Sequence, residues 1–324
     1  MRWYGFTQEE IKEMMKEQNI EKETQEELMP IMKENYDGYK FSMNAKENMY
    51  NSNMTLNFLA DYVRLGRMPE SLVDVNIASD YSKLGKMLNL CKGENREKII
   101  EKSISGEGIV GEIVDKFNPE IGFGDKELVS MLFYLGYLTI AGERIGKPEL
   151  KIPNKIMKEI YADYFLKILK ENTKIEITES NYNEMLEEMA YEGKIDKILE
   201  KLEEYLNNLS NRDYQRFDEK YVKVIFYSIA MNLKFVYNVK SEMEVNRKYP
   251  DLMLIAKDKS KGYNSIMIEF KYLKRGEENQ LEEKQKEARA QIEEYREFEE
   301  LKAIPKLNCY TAVAVVDKIY VEKI

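Results

Sequence analysis

Histidine is absent from all 324 residues of this sequence. Its absence excludes Ser-His-Asp and Cys-His catalytic arrangements, histidine-ligated metal sites and every hydrolase class that relies on a histidine base. Any catalysis must therefore use carboxylates, lysine, tyrosine or a metal ion held by carboxylates. Carboxylate oxygens are hard ligands, so the metal that this composition favours is Mg²⁺ or Mn²⁺.

Cysteine, proline and long apolar runs are also scarce. Two cysteines are too few for a disulfide framework or a cysteine-based zinc site. No stretch approaches the roughly 18 consecutive apolar residues of a membrane span, and the N-terminus lacks the apolar core of a signal peptide. We therefore expect no membrane contact and a cytoplasmic location. The 43% hydrophobic and 34% charged residues are typical of a globular, helix-rich chain of two or three domains.

The charge of the chain is unevenly distributed. Residues 1–210 contain 28 Lys and Arg against 39 Asp and Glu, whereas residues 211–324 contain 22 against 20. An acidic surface repels phosphate, so only the C-terminal third is expected to present a basic surface to nucleic acid.

The order of predicted elements divides the chain into three parts. Residues 1–120 are predicted to be helical, residues 121–210 to form a helical, winged-helix-like linker module, and residues 211–324 to form a separate domain. Thr7 and Glu10 have the spacing of a capping box, which predicts a helix that begins there. The predicted elements before residue 211 are helices at 7–18, 24–35 and 50–66, a helix and a hairpin within 125–152, and helices at 154–170 and within 181–209.

From residue 211 the pattern changes to a long helix followed by short apolar, β-branched runs. The predicted elements are a helix at 213–233, strands at 235–245, 251–255 and 265–272, a charged helix at 277–300, and strands at 311–316 and 319–324. The first six of these elements have the order α-β-β-β-α-β, which predicts a mixed sheet and an α+β class for the whole chain. In the charged helix, Ala288, Ile292 and Tyr295 recur at helical spacing and predict the face that packs on the sheet.

Two charged residues interrupt the apolar strand predicted at 265–272. Side chains alternate along a strand, so Glu269 and Lys271 share one face. An isolated Glu-x-Lys tripeptide predicts only an ion pair on a solvated sheet. Asp251 opens the preceding predicted strand, and pairing of the two strands would bring Asp251 and Glu269 together. Two carboxylates and a backbone carbonyl are enough to hold Mg²⁺, and Lys271 can hold an attacking water and favour its hydroxide form.

A glutamine lies on the predicted sheet-facing side of the following helix. Gln291 falls beside Ala288, Ile292 and Tyr295, and an amide facing a sheet needs a hydrogen-bond partner. Gln291 is therefore a further candidate for the site.

Together these stretches resemble the PD-(D/E)XK nuclease superfamily, most closely its bacterial branch fused behind an AAA-ATPase-like domain. The resemblance implies a restriction-endonuclease-like domain over residues 211–324, a metal site at Asp251 and Glu269, a catalytic Lys271 and an accessory Gln291. The matching segments are 239–245, 249–254, 268–274 and 290–295.

The first helix of this domain also fits the resemblance. Glu219 matches the acidic position that the superfamily carries there, which implies a possible accessory metal ligand. Val222 stands where related sequences often carry a histidine, so that accessory role is missing. The implied cofactor is Mg²⁺ or Mn²⁺, and the implied partner is a nucleic acid.

The N-terminal part resembles the back half of the ATPase-like domain. The resembling segments are 5–10, 36–39, 50–55, 74–77 and 80–84. The P-loop of such a domain is expected upstream of them, and no GxxxxGK[ST] occurs anywhere in the sequence. We therefore expect no ATP binding, and a chain that is naturally truncated or a fragment.

Two functions remain open at this point. The first is a Mg²⁺-dependent phosphodiesterase acting on DNA, or less favourably RNA, in a mobile-element or defence setting. The alternative is a non-enzymatic interaction or inhibitor protein, whose acidic helical N-terminal region binds a protein partner while the nuclease-like fold serves as a scaffold. The intact set of Asp251, Glu269 and Lys271 favours the first, and the acidic balance and missing P-loop favour the second.

Overall fold

A computed structural model describes residues 5–69, 71–73, 84–86, 88, 96–116, 124–209, 218–241 and 248–324. The chain divides into two compact units, Met1–Tyr164 and Phe165–Ile324. Helices combined with a C-terminal mixed sheet confirm the predicted α+β class. Within the described ranges, no helix is long and apolar enough to cross a membrane.

The first unit is mainly helical, with two small sheets. Its helices are α1 (Gln8–Glu17), α2 (Lys22–Tyr36), α3 (Ser52–Leu65), α4 (Arg96–Ile104), α5 (Asp125–Tyr134) and the first half of α6 (Lys155–Thr173). Its strands are β1 (Gly5–Phe6), β2 (Tyr50–Asn51), β3 (Ile109–Val110), β4 (Thr139–Arg144) and β5 (Lys147–Lys151). β1 pairs with β2, and the other three strands form an antiparallel sheet in the order β3-β5-β4.

Local sequence signals account for several of these elements. The Thr7 hydroxyl accepts from the Glu10 N–H and the Glu10 carboxylate accepts from the Thr7 N–H, so the predicted capping box is confirmed. The helix–hairpin–helix order of α5, β4, β5 and α6 is also as predicted, with a turn at Ile145 and Gly146, both of positive φ. The winged-helix assignment stays a prediction. Residues 74–77 and 80–83, which carry part of the N-terminal resemblance, lie outside the described residues.

The second unit consists of a five-stranded sheet and the helices that pack around it. Its helices after α6 are α7 (Glu179–Glu187), continued by a π-helical turn (Glu188–Glu192), α8 (Asp196–Asn208), α9 (Glu219–Ala230), α10 (Leu281–Tyr295) and α11 (Glu299–Lys302). Its strands are β6 (Tyr237–Ser241), β7 (Leu252–Ala256), β8 (Ser265–Leu273), β9 (Leu307–Val315) and β10 (Lys318–Lys323). Residues 213–217 and 242–245, at the ends of a predicted helix and strand, lie outside the described residues.

The sheet has the order β10-β9-β8-β7-β6. β8 lies at its centre and pairs in parallel with β9. The other three pairs of this sheet, including β8 with β7, are antiparallel. The sheet is thus mixed, as predicted. A central strand is covered on both faces, which explains why eight of the nine residues of β8 are buried.

Helices cover the two faces of β8. On one face, the rings of Phe226 in α9 and Phe270 in β8 lie 5.0 Å apart. On the other face, Met267 packs in a cluster with Ile292 and Tyr295 of α10, which confirms the predicted sheet-facing stripe.

The charged helix is shorter than predicted. It ends at Tyr295, and the chain turns before α11 begins at Glu299. The half-buried ring of Phe298 packs against the apolar cluster beneath α10. Leu301 of α11 lies in the same cluster, so the turn and the short helix after it remain packed on the sheet.

Candidate active site

Two charged side chains are buried in the central strand. Glu269 is 2% exposed and Lys271 is 7% exposed. Because side chains alternate along a strand, both lie on the face opposite Phe270, towards α10. The Lys271 ammonium donates to Glu269 Oε1 at 3.1 Å. Burial of two charges is unfavourable unless they are paired and hydrogen-bonded, so this pair is unusual for a purely structural strand.

Asp251 lies beside this pair. It immediately precedes β7, and β7 pairs with β8 as predicted, with Leu252 opposite Ile268. The next position in that register places Asp251 next to Glu269. Asp251 Oδ2 accepts from the backbone N–H of Phe270 at 2.8 Å, which fixes the carboxylate at the start of its strand.

A lysine that the sequence analysis did not identify also contacts Asp251. The Lys223 ammonium, one helical turn beyond Glu219 in α9, donates to Asp251 Oδ1 at 2.6 Å and to Glu219 Oε1 at 2.7 Å. Glu219 is thereby linked to Asp251 through Lys223. The spacing of Glu219 and Lys223 could have indicated their contact, because residues four apart share a helix face.

The carboxylates repel one another. Burial and then the charge of Asp251 raise the pKa of Glu269 to about 7, against the lowering effects of Lys271 and Lys223. Burial also raises the pKa of Asp251, against the lowering effects of Lys223 and the Phe270 N–H. For Lys223, burial lowers the pKa, but Asp251 and Glu219 together raise it above its ordinary range. The site therefore favours additional positive charge.

Several buried oxygens here lack hydrogen-bond partners. Among the described residues these include Glu269 Oε2, Gln291 Oε1 and Thr311 Oγ1. Thr311 lies directly opposite Glu269 in the parallel register of β8 and β9, and Gln291 lies on the helix that covers this face. Thr311 was not predicted, since strand register depends on pairings distant in sequence.

Tyr295 also belongs to this environment. Burial, followed by the charges of Glu269 and Asp251, raises the pKa of its phenol above the ordinary range. Sequence periodicity placed Tyr295 in an apolar layer. Its ring packs there, and its hydroxyl lies close enough to both carboxylates for their charges to raise its pKa.

These residues fit one divalent cation. Glu269 Oε2 and Gln291 Oε1 are hard acceptors with no donor, and a cation relieves the repulsion between Asp251 and Glu269. Within the described ranges, no group of three or more Asp, Glu and Cys side chains gathers around one point. An ion held here would therefore combine the two carboxylates with neutral oxygen ligands.

Comparison with known proteins agrees with this geometry. No curated protein matches the chain. Residues 217–322, about a third of the chain, match the family model described as the PD-(D/E)XK nuclease superfamily. The match begins at residue 217, and the likeness of the N-terminal part to an ATPase-like domain stays a prediction. The region spanning α9 to β10 is thus supported as a PD-(D/E)XK nuclease superfamily domain.

Proposed function

We propose that this protein is a Mg²⁺- or Mn²⁺-dependent nuclease that hydrolyses phosphodiester bonds in DNA, with RNA as the less favoured substrate. The observation that carries the proposal is the burial of Glu269 and Lys271 side by side, with Asp251 at the adjacent strand end. A nuclease-superfamily match over the same residues supports it. A mobile-element or defence setting remains part of the proposal.

Each residue has a distinct role in this proposal. Asp251 and Glu269 hold the divalent ion, and Gln291 contributes a neutral oxygen. When bound, the ion polarises a phosphoryl oxygen and lowers the pKa of a water molecule. Lys271 uses one of its three N–H groups on Glu269, so the others are available to orient the attacking water and to stabilise the negative charge that develops on the phosphate.

Charge balance supports the requirement for metal. Above a pH of about 7, Asp251, Glu269 and Glu219 carry three negative charges against the two positive charges of Lys223 and Lys271. This net negative charge repels a phosphodiester. A divalent cation reverses the sign, so substrate binding as well as chemistry would depend on it.

The alternative is a non-catalytic scaffold with a protein partner at the acidic helical N-terminal region. One observation favours it: the Lys223 ammonium already lies 2.6 Å from Asp251 and neutralises that carboxylate without metal. In this alternative the polar cluster stabilises the fold and binds no ion.

Cleavage assays separate the two. Labelled single-stranded and duplex DNA, and RNA, are incubated with the protein in Mg²⁺, Mn²⁺ or EDTA. We expect metal-dependent cleavage by the wild type, a loss of roughly 100-fold or more in Lys271→Ala, and full activity in the exposed control Lys274→Ala. No cleavage of any substrate by the wild type, or equal cleavage by Lys271→Ala, would favour the scaffold.

A further inference from the structure

A groove lies between α1 and α2 in the first unit, distinct from the candidate active site. Its volume is about 920 Å³, near the upper end for a ligand site. Its described lining residues combine basic, amide and apolar groups and include no aromatic side chain. They include Lys12, Lys16, Lys22 and Lys33, and among the described residues Glu26 is the one carboxylate of the lining.

The lysines are concentrated here although residues 1–210 are acidic overall. In α1, Lys12 and Lys16 form one stripe, while Glu9, Glu13 and Glu17 form another at the same four-residue spacing. Only the lysine stripe lines the groove, so α1 presents one sign of charge to it.

The basic side chains are largely uncompensated. Within the described ranges, Lys12, Lys16 and Lys33 form no ion pair. Lys22 pairs with Glu26 at 3.8 Å, and both side chains are mostly exposed, so that pair is weak. Four ammonium groups against one carboxylate make the groove complementary to an anion with several charges.

We propose that this groove binds the phosphate backbone of a nucleic acid. The lysines contact successive phosphates, and the amides donate to phosphate oxygens. None of the described residues that line the groove is aromatic, so the contacts that they offer are to phosphates, and binding through them is independent of sequence. The choice of nucleic acid over another polyanion rests on the proposed function, since a nuclease requires a surface that holds its substrate's backbone.

The test measures binding in EDTA, so cleavage cannot influence it. A short fluorescent DNA duplex and its single strand are titrated with the full chain at several salt concentrations. The groove variant is Lys12→Gln/Lys16→Gln/Lys33→Gln. The control is Lys46→Gln/Lys116→Gln, whose exposed lysines lie outside the groove. Circular dichroism checks that both variants are folded, and Lys12→Arg/Lys16→Arg tests whether positive charge alone suffices.

We expect the groove variant to bind duplex at least about tenfold more weakly near physiological salt. The slope of log K against log salt should fall by about 0.9 for each lysine that contacts a phosphate. The control and the arginine variant should retain affinity. The proposal would be overturned if the groove and control variants lost affinity for DNA equally, or if neither lost any. Tighter binding of an acidic peptide than of DNA would also overturn it. Failure of the nuclease proposal would appear instead as absent cleavage in Mg²⁺ with this binding intact.

Discussion

Asp251 is the side chain on which the contacts of the candidate site converge. One of its oxygens accepts from Lys223 and the other from the backbone of β8. The residue pattern predicted Asp251, Glu269 and Lys271, because charges stand out in apolar strands. Lys223 was missed since a lysine on a helix surface is ordinary until its partner is known. Its buried contact with Asp251 arises only from tertiary structure.

The raised pKa of Glu269 predicts a specific pH dependence. Its folded pKa is about 7 and its ordinary value is 4.5, so between these values the folded state retains a proton that the unfolded state releases. The contribution of Glu269 therefore lowers the free energy of unfolding as pH rises through this window. Glutamine does not titrate but keeps an acceptor for Lys271. Relative to wild type, Glu269→Gln should gain stability across the window by up to about 1.4 kcal/mol per pH unit.

Urea unfolding in EDTA at several pH values measures this difference. The exposed Glu282→Gln is the control and should show no such trend. A difference between Glu269→Gln and wild type that stays constant with pH would contradict the raised pKa.

Removal of Lys223 should have opposite effects without and with metal. Lys223→Met leaves the largely buried Asp251 without its ammonium partner, so the metal-free protein should lose about 1–3 kcal/mol. The same change removes a cation that competes for Asp251, so Mg²⁺ should raise the melting temperature more than in wild type. Lys223→Arg keeps the positive charge and should behave like wild type. Thermal melts with and without Mg²⁺ check this, and a smaller Mg²⁺ effect in Lys223→Met would refute the competition.

At the scale of elements, local patterns predicted most of the second unit. The alternation in β8 and the helical stripe of α10 both depend on neighbours within a few residues, and both are confirmed. The break after Tyr295 was not predicted, and the Phe298 ring that follows it packs on a cluster drawn from several strands, which no local pattern reveals. The placement of Thr311 opposite Glu269 likewise depends on the parallel pairing of β8 and β9.

The packing of α10 can be tested at Tyr295. This side chain is buried and lies close to both carboxylates, so Tyr295→Asp would add a further negative charge to a poorly solvated site. We expect a loss of roughly 3 kcal/mol or more in the free energy of unfolding. Lys286→Asp, at an exposed position of the same helix, should lose less than about 1 kcal/mol. Comparable losses in the two variants by urea unfolding would argue against this helix orientation.

For the whole molecule, average composition does not describe each surface. The acidic balance of residues 1–210 predicted a protein-binding region, and that stays a prediction. Within the same residues, α1 and α2 gather lysines around one groove. A composition sums charges over all faces, but a ligand meets only one of them. In contrast, the absence of histidine applies to every residue of the chain, and it limits any catalysis to carboxylates, lysine, tyrosine or a metal ion held by carboxylates.

Diffraction from crystals of the full chain soaked in Mn²⁺ tests most directly whether Asp251 and Glu269 hold one divalent ion beside Lys271. We expect a single anomalous peak bonded to oxygens of both carboxylates, and no peak there in crystals of Asp251→Asn. The Lys271→Ala variant should keep the peak, since Lys271 serves the water and the phosphate and not the ion. A wild-type crystal with no anomalous density between Asp251 and Glu269 would contradict the proposed metal site.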